Sequence, residues 1–88
     1  MRSFNLTVVS PEKTIFNGSV TYCCFVTPEG KMGVKANHEP FLVVLKDNAE
    51  FLYRPTDGSE ETIYPMNATA VFKKNECSII LSGTVQNN

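Results

Sequence analysis

An all-β fold of nine or ten short strands, closed into a sandwich or barrel, is what this sequence predicts. Three observations carry that expectation. Turn-forming clusters recur roughly every 8–12 residues along the whole chain. Between them, short runs alternate apolar and polar side chains, the period of a half-buried strand. No ten-residue window places apolar residues at the three- and four-residue spacing of an amphipathic helix.

The elements follow in order. Phe4, Leu6 and Val8 alternate with Asn5 and Thr7, and Ser10-Pro11-Glu12-Lys13 ends that strand. Thr14-Ile15-Phe16 and Ser19 to Val26 read as a hairpin across Asn17-Gly18, because both turn residues tolerate positive φ. Within the second arm, simple alternation puts Val20, Tyr22, Cys24 and Val26 on one face. Thr27-Pro28-Glu29-Gly30 turns the chain into a short strand from Lys31 to Val34. Lys35 to Pro40 is a polar loop. Phe41 to Leu45 is wholly apolar, which fits a strand covered on both faces or one passing from a core into an interface. Lys46-Asp47-Asn48 turns again. Ala49 to Arg54 and Glu60 to Tyr64 form a hairpin with Asp57-Gly58 at its tip, and Ala68 to Phe72 and Cys77 to Leu81 form another across Lys73-Lys74-Asn75-Glu76.

Composition bounds the function. The 88 residues read as one domain spanning 1–88, with 83–88 expected to fray. A domain of this size buries only about 60–65% of the surface its unfolded chain exposes. Hydrophobic residues are 42% and charged residues 19%, a globular balance rather than a disordered one. The net charge of -1 argues against a nucleic-acid partner, which calls for a clustered basic excess. No apolar run approaches the roughly 18 residues of a membrane span, and Met1 to Asn5 carries no apolar signal core. Cys23, Cys24 and Cys77 are odd in number and two are neighbours, so they read as small hydrophobes of a reducing compartment, not as a disulfide framework. One His with scattered cysteines lacks metal-ligand spacing, and no cofactor is expected.

Enzymatic constellations are thin. His38 is the only imidazole, and only Asp47 and Asp57 could orient it, with no nucleophile motif nearby. Glu60 and Glu61 are strand neighbours that point to opposite faces, so they read as a solvated hairpin rather than a carboxylate pair. Glu29-Gly30-Lys31-Met32-Gly33 lacks the Gly-Lys-Ser/Thr ending and the helix of a phosphate loop. From the residues alone, the chain reads as a soluble β-sandwich that serves as a binding part, and a small ligand- or protein-binding module is the alternative reading.

Glu29 to Lys46, EGKMGVKANHEPFLVVLK, narrows this. It resembles the signature of the epsilon subunit of F-type ATP synthases, in which a Glu-Gly-x-x-Gly-Ile/Val turn leads to His-x-Pro, an apolar run and a Lys. Glu29, Gly30, Gly33, Val34, His38, Pro40, Leu42, Leu45 and Lys46 occupy the matching positions. Phe4 to Lys13, with Phe16 and Gly18, is similar to the opening of that family. Where the family carries a Gly-Gly pair before its penultimate strand, this chain has Met66-Asn67-Ala68, which leaves that turn open.

The resemblance implies ten strands in two five-stranded sheets, without the C-terminal helical hairpin of longer members. It implies a non-catalytic central-stalk subunit of a proton-translocating ATP synthase, bound to the gamma subunit and the c ring. Contact with gamma is expected at Ser10, His38, Phe41 and Val43, and contact with the c ring at Glu29, Gly30, Lys31 and Met32. Lys31 stands where relatives often carry an acidic or polar residue, so an acidic residue is expected in the facing ring loop. Gly30 and Gly33 are expected to permit a sharp tip. Pro40 restricts Glu39 to extended geometry and aims the loop bearing His38. Phe41 and Val43 alternate with Leu42 and Val44, so one pair faces the core and the other gamma. Membrane association is expected only through the complex, on the cytoplasmic face of a bacterial inner membrane or the stromal face of a thylakoid. An inhibitory mobile arm is not expected from Ser82 to Asn88, which are polar and poor in helix formers.

Overall fold

The computed structural model describes residues 2–84. Ten strands follow in order: β1 Phe4–Val9, β2 Thr14–Thr27, β3 Gly30–Val34, β4 Phe41–Val44, β5 Phe51–Pro55, β6 Glu61–Ile63, β7 Pro65–Met66, β8 Thr69–Lys73, β9 Glu76–Ile80 and β10 Gly83–Thr84. No helix occurs among the described residues. Gly83 and Thr84, expected to fray, pair with Met66 and Pro65; the rest of that tail lies outside the described residues.

The ten strands of a sandwich are present, but they are grouped differently from two separate five-stranded sheets. Eight belong to one hydrogen-bonded path, β4-β8-β9-β1-β2-β5-β6 with β3 also on β2, while β7 and β10 form a small ribbon. The shared strand is β2, 14 residues long. Its first half pairs with β1 and closes a five-stranded layer, β4-β8-β9-β1-β2. Its second half pairs with β3 and β5 and so belongs to the opposing layer. The β1–β9 pair is parallel; every other pair is antiparallel.

Two expectations about β2 are corrected by this arrangement. Asn17-Gly18 does not turn; it lies extended opposite Thr7 and Leu6 of β1. Pairing satisfies the backbone there, and the Asn17 carboxamide oxygen accepts from Asn5 Nδ2 at 3.4 Å and from Thr7 Oγ1 at 3.3 Å. Gly18 serves close approach instead, since a Cβ would sit 3.2 Å from the Phe16 ring. The second correction is one of phase. Val20 is buried, but the buried residues after it are Cys23, Phe25 and Thr27, not Tyr22, Cys24 and Val26. A register shift between Val20 and Tyr22 inserts one residue, which swaps the faces and bends the strand from one layer into the other.

Leu6, Val8, Phe72 and Ile79 from one layer meet Cys23, Phe25, Val34 and Phe51 from the other in the core. Phe72 is its aromatic centre, edge-on to Phe4 at 5.5 Å and stacked on Phe41 at 5.6 Å. The remaining hairpins form as expected. Lys74 and Asn75 both take left-handed φ, 52° and 59°, as a tight β8–β9 turn requires. Asn67, in the turn that the sequence left open, also takes left-handed φ of 51°. Its strain is offset by anchoring: its N–H donates to Asp47 Oδ1 at 2.8 Å and its amide to Ser82 Oγ at 3.2 Å.

Candidate functional site

The outward face of the five-stranded layer is the surface the core does not explain. Strand pairing lays residues across it in rows. Leu42, Val71, Ser78, Thr7 and Asn17 form one row, and Val44, Thr69, Ile80, Val9 and Thr14 the next. Leu42 is 70% exposed, Val44 58% and Ile80 56%. Val9 and Val71 lie half-buried between them. The result is one contiguous apolar patch that fades at β2 into the hydrogen-bonded polar trio Asn5, Thr7 and Asn17. Strand β4 sits at the sheet edge without the charged side chains that usually blunt an edge. A patch of this kind marks an interface.

The sequence carries its signal as apolar doublets. Val8-Val9, Val43-Val44, Ala70-Val71 and Ile79-Ile80 each place one member inside and one outside. A strand with a solvated outer face needs only the inner one.

The residues singled out from the sequence fall into three places. Phe41 and Val43 turn inward and pack half-buried against the core, so the alternation along β4 is as expected but its phase is reversed. Leu42 and Val44 face outward in their stead. Ser10 and His38 stand at opposite ends of the layer: Ser10 follows β1, while His38 precedes the parallel-running β4. Ser10 is a turn former whose Oγ donates to the Lys13 carbonyl at 3.2 Å and accepts from the Lys13 N–H at 3.3 Å. His38 lies edge-on against Phe41 at 5.3 Å and Phe72 at 5.9 Å, and its Nδ1 is 2.8 Å from the Glu39 carbonyl. It caps the open end of the aromatic core.

The third place is the β2–β3 tip. Glu29, Gly30 and Lys31 are exposed there, while Met32 turns back onto the core. Gly30 has φ of 130°, a conformation that L side chains rarely adopt. The Thr27 hydroxyl rigidifies the turn by donating to the Gly30 carbonyl at 3.0 Å and accepting from the Glu29 N–H at 3.2 Å. Gly33, expected to serve the same tip, lies within β3 and makes room for the Tyr22 ring instead.

The cysteines are structural. The Cys23 thiol is pushed up above the ordinary thiol range, chiefly by a hydrogen bond with Cys77 and then by burial. Tyr22 is also raised, first by its hydrogen bond with Cys24. Neither group is tuned as a nucleophile, which needs a lowered value. Among the described residues, the geometry offers an exposed apolar face and a projecting tip, with no assembled catalytic set.

The fold matches a chain of the Euglena gracilis mitochondrial ATP synthase with a TM-score of 0.85 at 21% identity, covering 94% of this chain and 52% of that one. It also matches a chain of the Tetrahymena thermophila mitochondrial ATP synthase central stalk and c-ring assembly, with a TM-score of 0.79 at 16% identity, covering 97% of this chain and 67% of that one. This chain thus spans about half the length of the Euglena chain. At these identities the likeness is one of fold. Sequence decides the family: residues 3–87 match the model for the β-sandwich domain of the ATP synthase delta/epsilon chain, and the protein belongs to that family.

Proposed function

We propose that this protein is a non-catalytic central-stalk subunit of a proton-translocating F-type ATP synthase, which links the gamma subunit to the membrane c ring. The observation that carries the reading is the unpartnered apolar face of Leu42, Val44, Val71, Ile80 and Val9 on a domain of this family. Gamma docks on that face, and Ser10 and His38 bracket it at its two ends. Phe41 and Val43 act from beneath, by supporting β4. The Glu29-Gly30-Lys31 tip meets the polar loops of the c ring through a small, exposed contact, with Met32 as its footing in the core. The chain is peripheral to the membrane, held there through the complex, on the cytoplasmic face of a bacterial inner membrane or the stromal face of a thylakoid.

The test of the docking face is the double substitution Leu42→Asp with Ile80→Asp, assayed by pull-down with gamma. Both side chains are exposed in the isolated domain, so the fold is expected to survive, as circular dichroism would report. Two charges desolvated in the interface should lower affinity by at least a hundredfold, since an unpaired buried charge costs several kcal/mol. Unchanged gamma affinity in a folded variant would refute this surface. Val43→Asp is not diagnostic, because Val43 packs on the core and its loss weakens the domain itself.

A further inference from the structure

The opposite layer carries, on its own outward face, a basic cleft that stalk docking does not use. Tyr22, which lines it, lies over Gly33 of β3, where an added Cβ would meet the phenol oxygen at 2.9 Å, so the glycine lets that ring rest across the strand. The Arg54 guanidinium rests over the Tyr22 ring, 5.3 Å from its centre. Glu60 holds Arg54 from the other side, with Nη2–Oε1 at 3.1 Å and Nε–Oε1 at 3.3 Å. Beside this stack opens a cleft of about 450 Å³ lined by Arg2, Thr21, Tyr22, Lys35, Ala36 and Arg54. That volume is within the roughly 300–1,000 Å³ of small-molecule sites.

Charge and rigidity both point to an anion. Three of the eight Lys and Arg residues converge here, in a chain of net charge -1, and among the described residues no carboxylate lines the cleft. Glu60 neutralises part of Arg54, which leaves about two positive charges to be matched. The segment bearing Lys35 is anchored. Asn75 Nδ2 donates to Asn37 Oδ1 at 2.9 Å, and the Asn37 N–H donates to Asn75 Oδ1 at 2.6 Å. The cations are therefore partly preorganised, which reduces the entropy cost of binding. A smaller cleft of about 300 Å³ shares Arg2 and Ala36 with the first and extends it toward Asn37 and Asn75. An elongated anion fits this shape better than a compact one.

We propose that this cleft binds a small multivalent oxyanion of the pyrophosphate class, held by Arg2, Lys35 and Arg54 with hydroxyl donors from Thr21 and Tyr22. Charge-assisted hydrogen bonds to phosphate oxygens are the strong kind, and guanidinium forks suit them. The site is independent of the stalk reading, because it lies on the other layer from the proposed gamma face.

The test is a titration of the 88-residue chain with inorganic pyrophosphate at low ionic strength, followed by amide NMR shifts. Shifts confined to residues 2, 21–22, 35–37 and 54 are expected. Arg2→Gln and Lys35→Gln should each weaken binding about three- to tenfold. Glu60→Gln should strengthen it, because Arg54 loses its competitor. Lys13→Gln, remote in charge from the cleft, should leave it unchanged. Equal weakening by Lys13→Gln, or no gain from Glu60→Gln, would overturn the assignment in favour of general charge attraction. Vesicles of phosphatidylglycerol form the second arm, with phosphatidylcholine vesicles as the reference. Competition by excess pyrophosphate is expected to release any bound protein; vesicle binding that resists it would replace the small oxyanion by a lipid surface.

Discussion

At the scale of single residues, glycine 33 and the raised tyrosines and thiol give the sharpest tests. Gly33→Ala should lift the Tyr22 ring, at a cost of about 1 kcal/mol, since the contact it forces is with the outer end of a side chain. In a double-mutant cycle with Tyr22→Ala the penalty should vanish, and urea unfolding would measure it. The same substitution disturbs the platform under Arg54, so it should also weaken pyrophosphate binding. pH tests the groups whose values are raised. Tyr53 is raised by burial and then by the Glu61 charge, Tyr22 by its bond to Cys24, and Cys23 by its bond to Cys77. A raised folded value means that the unfolded chain releases its proton first as pH climbs. The associated stability is therefore complete below the unfolded values, about 8.5 for a thiol and 10 for a phenol, and declines above them. Urea midpoints should hold steady from pH 7 to 8 and fall from about pH 9 onward. Tyr53→Phe should flatten the portion above pH 10; an unaltered slope would contradict the role given to Tyr53.

At the scale of elements, the one-residue slip in β2 lets a single strand serve two layers. Phe16, Gly18 and Val20 face the core before it, and Cys23, Phe25 and Thr27 after it. An unbroken alternation would keep β2 flat and in one sheet. Aromatic packing braces each layer from within, and the pair Phe25 with Phe41 crosses between them. Phe25 stacks on Phe51 at 5.8 Å and meets Phe41 at 6.1 Å, while Phe72 joins Phe4, Phe41 and His38. Phe72→Ala removes the hub of this cluster and should destabilise the domain by about 3–5 kcal/mol. A small domain has little more than that in hand, so thermal melting should report partial or complete unfolding at 37 °C. A change in melting temperature of only a degree or two would mean that the core repacks around the void.

At the scale of the whole molecule, the two surfaces proposed for docking lie on one domain. The outward face is broad and apolar, whereas the Glu29–Lys31 tip is narrow and charged. Their salt responses should differ. Association through the face depends on apolar area and should be nearly insensitive to ionic strength. Contact through the tip rests on exposed charge, screened over about 8–10 Å at physiological salt. Lys31→Glu should therefore lower proton-driven ATP synthesis in the assembled complex while the melting temperature of the isolated domain stays unchanged. Full coupling in the Lys31→Glu complex would remove the tip from the ring interface.

How much of this was legible before the structure depends on the range of the interaction. Alternation and turn chemistry act over two to four residues, and they determined the all-β class, eight of the ten strands in outline and the sites of most turns. The epsilon-like motif from Glu29 to Lys46 determined the family. Tertiary structure decided phase and partnership. Asn17-Gly18 has the local chemistry of a turn, yet pairing with β1 along six residues outweighs it. Phe41 and Val43 are as apolar as Leu42 and Val44, and only the neighbouring strand, through Phe41–Phe72 and Val43–Ala70, decides which pair is inside. Gly33 reads as a turn glycine until Tyr22 is seen above it. Arg2, Lys35 and Arg54 are 19 to 52 positions apart in sequence and meet only because β2 brings its neighbours β3 and β5 together with the start of β1. A period of two gives each strand two faces but does not say which is inward; that choice belongs to contacts between residues far apart in the chain.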